Sequence, residues 1–310
     1  MHKARYNALR LRLQIRPKGP LLIKAGGISA NPALPDMQFV RTYRPDLGET
    51  VYIPGSSLKG VVRGFVEKAL RTWNDRESWR WACSTFEEKD KPPEEGNCPQ
   101  RIKHTEKVEN RSLSTAEIYA NSCGACRIFG HTRLRGRLSF TDFFPVEEVR
   151  TEIRYGVAIS RLTHAVAHGP FEMEVAVSGA FEGTLVLENF EIWQLGLLTT
   201  ALEAMNRELL KVGFGKNRGF GEVKAQIVEA QVEEVVAGYQ KDRLRGLMAF
   251  VEDGEARRYG LYPPATLEKV PDPEAETPLG LYTRRTYEAR AWSAIARQTM
   301  QALVLAGGSA

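Results

Sequence analysis

The chain has 310 residues, 43% of them hydrophobic, with a net charge of +5 and a pI of about 9.0, which suits one large domain carrying insertions or a tail. A charged amino terminus without the apolar core of a secretory signal, and the absence of any run of about 18 apolar residues, exclude a secreted or membrane-spanning protein from the expectation. Four cysteines in such a chain point to a cytoplasmic protein whose thiols stay reduced or hold metal.

The charges are segregated. Residues 1–24 hold seven Lys or Arg and no acid, and residues 127–137 hold four arginines and no acid. Acids gather at 86–95, 229–234 and 252–276. Such segregation suits a polyanionic partner, and an ordinary solvated surface is the competing account.

In chain order, residues 5–15 alternate Leu9, Leu11, Leu13 and Ile15 with Arg10, Arg12 and Gln14. The period of two predicts a strand with one apolar and one cationic face, and that cationic face can be solvated or meet nucleic acid. Leu21 to Ala25 extends the strand pattern, and Gly26-Gly27 then opens a loop from Ile28 to Asp36. Val51 to Arg63 turns an extended run into a helix, with Ser56 as the expected N-cap and Leu58, Val62, Phe65, Ala69 and Trp73 as its inward stripe. Gly55, Ser56 and Ser57, followed by Lys59 and Arg63, place amide donors and cations where a phosphate fits.

Residues of about 74–130 are polar, contain all four cysteines and are expected to be an insertion outside the core. Arg135 to Phe144 predicts a strand, residues of about 146–170 a projecting hairpin or loop, and Phe171 to Glu188 two further strand-like runs. Glu191 to Leu210 predicts a helix capped by Asn189, and Glu222 to Val236 a last strand. The order strand, helix, strand, strand, helix, strand is the split ferredoxin-like pattern, an α+β fold whose sheet is shared with the RNA recognition motif. Residues 1–236 are expected to form this domain and 237–310 a helical extension, with helices at Lys241–Val251 and near Thr286–Leu305 and a proline-rich link over 263–278.

Cys123-Gly-Ala-Cys126 has the spacing of a metal knuckle, and Cys83 and Cys98 complete a four-thiolate set for structural zinc. His104 and His131 are the substitute ligands, and buried reduced thiols the alternative. The segment Gly213 to Gly221 runs from helix to strand, so it is neither a Rossmann nor a Walker loop. Gly215, Lys216, Arg218 and Gly219 suit close approach to a phosphodiester chain, and its four glycines exceed the needs of a plain turn. Asp36 can hold a hydrated Mg²⁺ against a phosphate or be an ordinary loop residue. His164 and His168 can serve as acid and base in RNA cleavage, or be solvated.

Three motifs occur in order: Ile53-Pro-Gly-Ser-Ser-Leu-Lys-Gly60; Cys123-Gly-Ala-Cys-Arg-Ile-Phe-Gly130 leading to Arg135-Gly-Arg-Leu-Ser-Phe-Thr-Asp142; and Gly213-Phe-Gly-Lys-Asn-Arg-Gly-Phe-Gly221. Together they resemble the RAMP superfamily, specifically the backbone subunits of type III CRISPR effector complexes, over residues of about 1–236. The resemblance implies a hand-shaped, RRM-like palm, copies stacked along a crRNA, and partnership with target RNA and other effector subunits. It places Gly55, Ser56, Ser57, Lys59, Arg63, Arg135, Arg161, Gly215, Lys216, Arg218 and Gly219 on RNA, and makes 150–170 a thumb. It also implies metal-dependent target cleavage by a loop aspartate that follows the glycine pair closely. Ile28 to Asn31 hold no carboxylate, so Asp36 is the nearest candidate. A stand-alone crRNA-processing ribonuclease using His164 or His168 is the alternative function, and a zinc-stabilised assembly protein without RNA contact the third.

Overall fold

The computed structural model describes residues 3–26, 34–84, 86 and 92–305. The glycine-pair segment from Gly27 to Pro32, with the expectation attached to it, lies outside the described residues, as does part of the acidic run at 86–95.

The framework is β1 (Asn7–Pro17), α1 (Gly55–Trp73), β2 (Leu138–Phe140), β3 (Phe181–Glu188), α2 (Ile192–Asn206) and β4 (Val223–Val235). The strands lie in the order β4-β1-β3-β2, each neighbour antiparallel, which is the ferredoxin-like arrangement expected from the sequence. β1 is central because both its edges pair: Leu11 faces Leu185 on one side and Ala230 on the other. Leu9, Leu11, Leu13 and Ile15 are buried, and Arg10 and Arg12 are exposed on the opposite face. Each such leucine contributes on the order of 2 kcal/mol by leaving water.

α1 buries Leu58, Val62, Val66 and Leu70, a strict i, i+4 row. The expected row through Phe65, Ala69 and Trp73 is rotated by one position, and Trp73 is exposed. α2 is buried on nearly all sides, because the sheet, α1 and a helix from the carboxyl-terminal part enclose it. Its cap is Glu191, not Asn189. The Glu191 and Gln194 side chains form the capping box, and Asn189 instead accepts the Tyr6 N–H and donates to Ala4 O.

Residues after 236 do not form a separate helical unit. β5 (Ala275–Leu279) and β6 (Tyr282–Glu288) extend the sheet beyond β4, and α3 (Ala289–Leu305) packs on α2. The expected helix at Lys241–Val251 is a short strand, Arg243–Arg245, and a 3-10 turn, Leu247–Phe250. The proline-rich link contains strands at Thr266–Glu268 and Ala275–Leu279, which an irregular spacing of apolar residues did not signal. The lock between this part and the sheet is Glu234. It is wholly buried, accepts the Arg245 N–H at 2.8 Å and lies 3.1 Å from Arg285 Nη2. Burial pushes its carboxyl up, and the charges of Arg285 and Arg245 oppose this.

The cysteine-bearing insertion is likewise not outside the core. Trp79 stacks on Trp193 of α2 with centroids 4.4 Å apart, and all four cysteines belong to the main apolar cluster. A smaller cluster joins Ile102, Ile118 and Tyr119 of the insertion to Tyr259 and Leu261 of the carboxyl-terminal part. The hairpin at the thumb position consists of Thr151–Ile159 and Val166–Ala176. Its base is buried at Val175 and Ala176, and its tip projects, with Leu162 at 91% exposure.

Candidate nucleic-acid interface

On the open face of the sheet four arginines are held by glutamates, while Arg10 stands without an acidic partner among the described residues. Arg12 pairs with Glu182 at 3.4 Å, Arg284 with Glu233 at 2.6 Å, and Arg16 donates to Glu147 at 2.7 Å. Arg5 pairs with both Glu188 and Glu233. The solvent-facing residues of β1, β3 and β4 include no aromatic ring, so the base-stacking platform of an RNA recognition motif is missing there. Of the two accounts of the basic first strand, the solvated, ion-paired one holds for Arg12 and Arg16.

The opposite flank is different. Lys59 on α1, and Lys216 and Arg218 in the glycine-rich loop, have no carboxylate partner among the described residues. Partial burial and the charge of Arg63 pull the Lys59 ammonium below its ordinary value. Partial desolvation and the nearby charge of Lys68 do the same to Lys216, which places the loop beside α1. Cations crowded without counter-ions raise each other's energy, and a polyanion relieves it.

The glycine-rich loop docks on the segment after β1. The Phe214 N–H donates to Leu22 O at 2.8 Å and the Gly221 N–H to Pro20 O at 2.8 Å. All four glycines have positive φ, and at Gly213 and Gly221 an added Cβ would lie 2.3 and 2.1 Å from a carbonyl oxygen. The turn itself therefore requires its glycines, and their number is not a surplus kept for a ligand. Lys216, Arg218 and Gly219 remain exposed at its tip.

The start of α1 also departs from expectation. Its N-cap is Pro54, not Ser56, and the Gly55 N–H donates to Asp142 Oδ1 at 2.8 Å. An internal carboxylate thus takes the first amide of the helix. Gly55 is buried, Ser57 is half-buried and Ser56 is exposed. Arg63 does not project beside Lys59 into open solvent. Its Nε donates to Glu67 Oε1 at 2.7 Å and its Nη1 to Gly130 O at 3.2 Å. Arg135 is exposed in the turn Gly130–Arg135 after the cysteine knuckle. Arg137, its neighbour in the motif, is buried over the Tyr119 ring and donates to Asn189 O.

Asp36 lies at the base of the projecting hairpin, where its Oδ2 accepts the Glu172 N–H at 2.9 Å. Asp36 belongs to no group of three or more metal-ligating side chains among the described residues. Arg161 and His164 are exposed at the hairpin tip, and His168 is exposed opposite Ala158. The two histidines have no side-chain partner among the described residues to orient them as an acid–base pair.

The cysteines converge. Cys83, Cys98, Cys123 and Cys126 are buried, and their sulfurs all lie within 4.8 Å of one another. Cys83 Sγ is 3.7 Å from both Cys126 Sγ and Cys123 Sγ. That separation matches the edge of a ZnS₄ tetrahedron with bonds of about 2.3 Å, and is far too long for a disulfide. The Cys123 N–H donates to Cys98 Sγ at 3.2 Å, as suits a thiolate. Hydrogen bonds from Cys123 and Cys126 hold Cys83 far below the usual thiol range, while Cys98 and Cys126 are pushed far above it. Four sulfurs this close cannot all ionise without a cation between them. The donor set fits zinc, which would serve as a closed structural centre here. His131 is not a ligand: its Nε2 meets Ser122 Oγ at 3.0 Å and its Nδ1 accepts the Arg133 N–H. Burial lowers it to about 4.

Sequence reading missed Asp142 as the cap of α1 and Glu67 as the partner of Arg63. The i, i+4, i+8 spacing of Arg63, Glu67 and Arg71 was the available signal for the second. No helix among the described residues is long and apolar enough to cross a membrane.

No curated protein matches the chain. The family model of the RAMP superfamily, whose proteins are CRISPR-associated and bind RNA, matches residues 14–224, more than half the chain. Its motifs at α1, the cysteine knuckle and the glycine-rich loop fall within that match, and the chain belongs to the RAMP superfamily.

Proposed function

We propose that this chain is a crRNA-binding backbone subunit of a type III CRISPR effector complex, stacked with copies of itself or related subunits along the guide. The observation that carries the reading is the contrast between the two flanks of the domain. On the sheet face Arg5, Arg12, Arg16 and Arg284 are matched by glutamates. On the helix and loop flank Lys59, Lys68, Lys216 and Arg218 have no such matches among the described residues. Phosphate-driven binding without base readout needs just such a row. Ser56, Ser57, Lys59, Lys216, Arg218 and Gly219 are the proposed contacts on the palm, with Arg135 in the turn that follows the cysteine knuckle and Arg161 at the hairpin tip. Gly55 and Gly215 shape the backbone at these contacts.

Filter binding of crRNA to the full chain at moderate salt tests the reading. Lys59→Ala with Lys216→Ala weakens binding if it holds. Equal affinity for wild type and variant overturns it. One oxygen of the Asp36 carboxylate accepts the hairpin amide, and guide binding as proposed does not require this subunit to cut RNA. A Mg²⁺-dependent cleavage assay on the assembled complex addresses that step. The processing-ribonuclease alternative requires metal-free, site-specific cleavage of precursor RNA by the pure protein.

A further inference from the structure

Arg63, Glu67 and Arg71 stand one helical turn apart on α1 and form a ladder against the cysteine centre. Glu67 is almost fully buried and joins the two arginines: Oε1 accepts Arg63 Nε at 2.7 Å and Oε2 accepts Arg71 Nη2 at 3.1 Å. Each arginine then grips backbone next to the metal-binding residues. Arg63 Nη1 donates to Gly130 O, at the end of the helix that carries Cys126. Arg71 Nη2 donates to the carbonyl of Cys83 itself, at 2.8 Å. Burial draws the Arg63 guanidinium down, but its bond to Glu67 and the charges of Cys126 and Cys83 outweigh this and raise it. A zinc ion held by four thiolates carries two net negative charges, so cations fixed at its rim stabilise the loaded centre.

We propose that the Arg63–Glu67–Arg71 ladder fixes α1 to the cysteine centre, so that metal occupancy sets the position of Lys59 one turn away, and that Arg63 acts on RNA only through this ladder. The RNA part rests on the reading of α1 as an RNA-contacting helix. The metal part does not.

The experiment uses the full, zinc-loaded chain and two readouts, the rate of zinc release to a colorimetric chelator and the salt dependence of oligouridylate binding. Arg63→Ala and Glu67→Gln are expected to release zinc at least about ten-fold faster, as loss of outer partners of a metal site does. Glu67→Gln removes a negative charge, which favours RNA if charge alone matters, yet it is expected to weaken RNA binding. Arg63→Ala is expected to weaken binding with an unchanged salt slope, because no phosphate contact is lost. Lys59→Ala is expected to lower the slope by about 0.7 and to release zinc like wild type. Arg63→Lys, which keeps the charge but loses the fork, is expected to release zinc nearly as fast as Arg63→Ala.

Wild-type zinc release in Arg63→Ala and Glu67→Gln overturns the ladder. A reduced salt slope in Arg63→Ala shows direct phosphate contact and overturns the assignment of Arg63. If Lys59→Ala and Arg63→Ala both bind RNA like wild type, the RNA-contact reading of α1 fails, while zinc release still decides the ladder.

Discussion

Asp142 accepts the backbone N–H of Gly55 at 2.8 Å, and thereby ties the segment that follows β2 to the first turn of α1. The contact is close because Gly55 has no side chain: an added Cβ would lie 2.5 Å from Thr141 O and 2.6 Å from Phe140 O. Two of the motifs found in the sequence, one at 53–60 and one ending at Asp142, are thus halves of one joint.

Asp142→Ala is expected to cost about 1 kcal/mol, the usual value of a lost helix cap. Gly55→Ala is expected to cost more, because backbone and not a flexible side chain must move. Urea denaturation of both variants checks the order. A larger loss in Asp142→Ala would show that the cap, and not the close approach, dominates the joint.

Metal removal is expected to disturb the whole domain, because the four cysteines belong to the main core. Purified protein is expected to carry one zinc per chain, and its thiols to resist a thiol reagent until a chelator is added. Cys123→Ser is expected to lose the metal and lower the melting temperature. Elemental analysis with calorimetry measures both.

RNA binding is expected to be strongly salt-dependent. Each phosphate contact on a single strand contributes about 0.7 to the slope of log affinity against log salt. Lys59→Ala and Lys216→Ala are each expected to reduce that slope by about this amount. Arg12→Ala, already paired with Glu182 on the far face of the sheet, is expected to leave it unchanged.

Asp36→Ala is expected to loosen the hairpin base, since the Glu172 N–H loses its acceptor. Limited proteolysis within 146–170 should become faster. In a Mg²⁺-dependent target-cleavage assay on the assembled complex, the expected rate equals that of wild type. Loss of cleavage with intact guide binding would instead place a metal at Asp36.

Acid is expected to open the insertion. Arg111, then Ser114, holds Glu117 down to about 2 from an ordinary 4.5. A carboxyl lowered on folding adds stability that is complete above about 4.5 and is lost as the pH falls towards about 2. Glu117→Gln should flatten that part of the stability profile, measured by denaturation between those limits.

The strand order of the palm was legible because β1, α1, α2 and β4 carry clean periods of two or of three and four. The four converging cysteines were legible as a set because no other cysteine competes with them. Near neighbours in sequence also fixed the glycine-rich loop as a helix-to-strand turn. Three things were not legible, since each depends on partners distant in the chain. β6 is set by pairing with β4 and by the buried Glu234, and β5 by pairing with β6, not by an alternating pattern of their own. Asp142 sits 87 residues from the amide it caps. Most of all, a list of cations cannot say which are spent. Arg12 and Lys59 are equivalent as sequence, each a cation beside an apolar position. Only the folded chain brings Glu182 to Arg12 and leaves Lys59 without an acid among the described residues, because a charge is neutralised by what lies a few ångströms away in space. The sequence by itself determined the fold class, the thiol set and the family resemblance; tertiary structure decided which positive charges have an acidic partner among the described residues, because partners distant in the chain meet only in the fold.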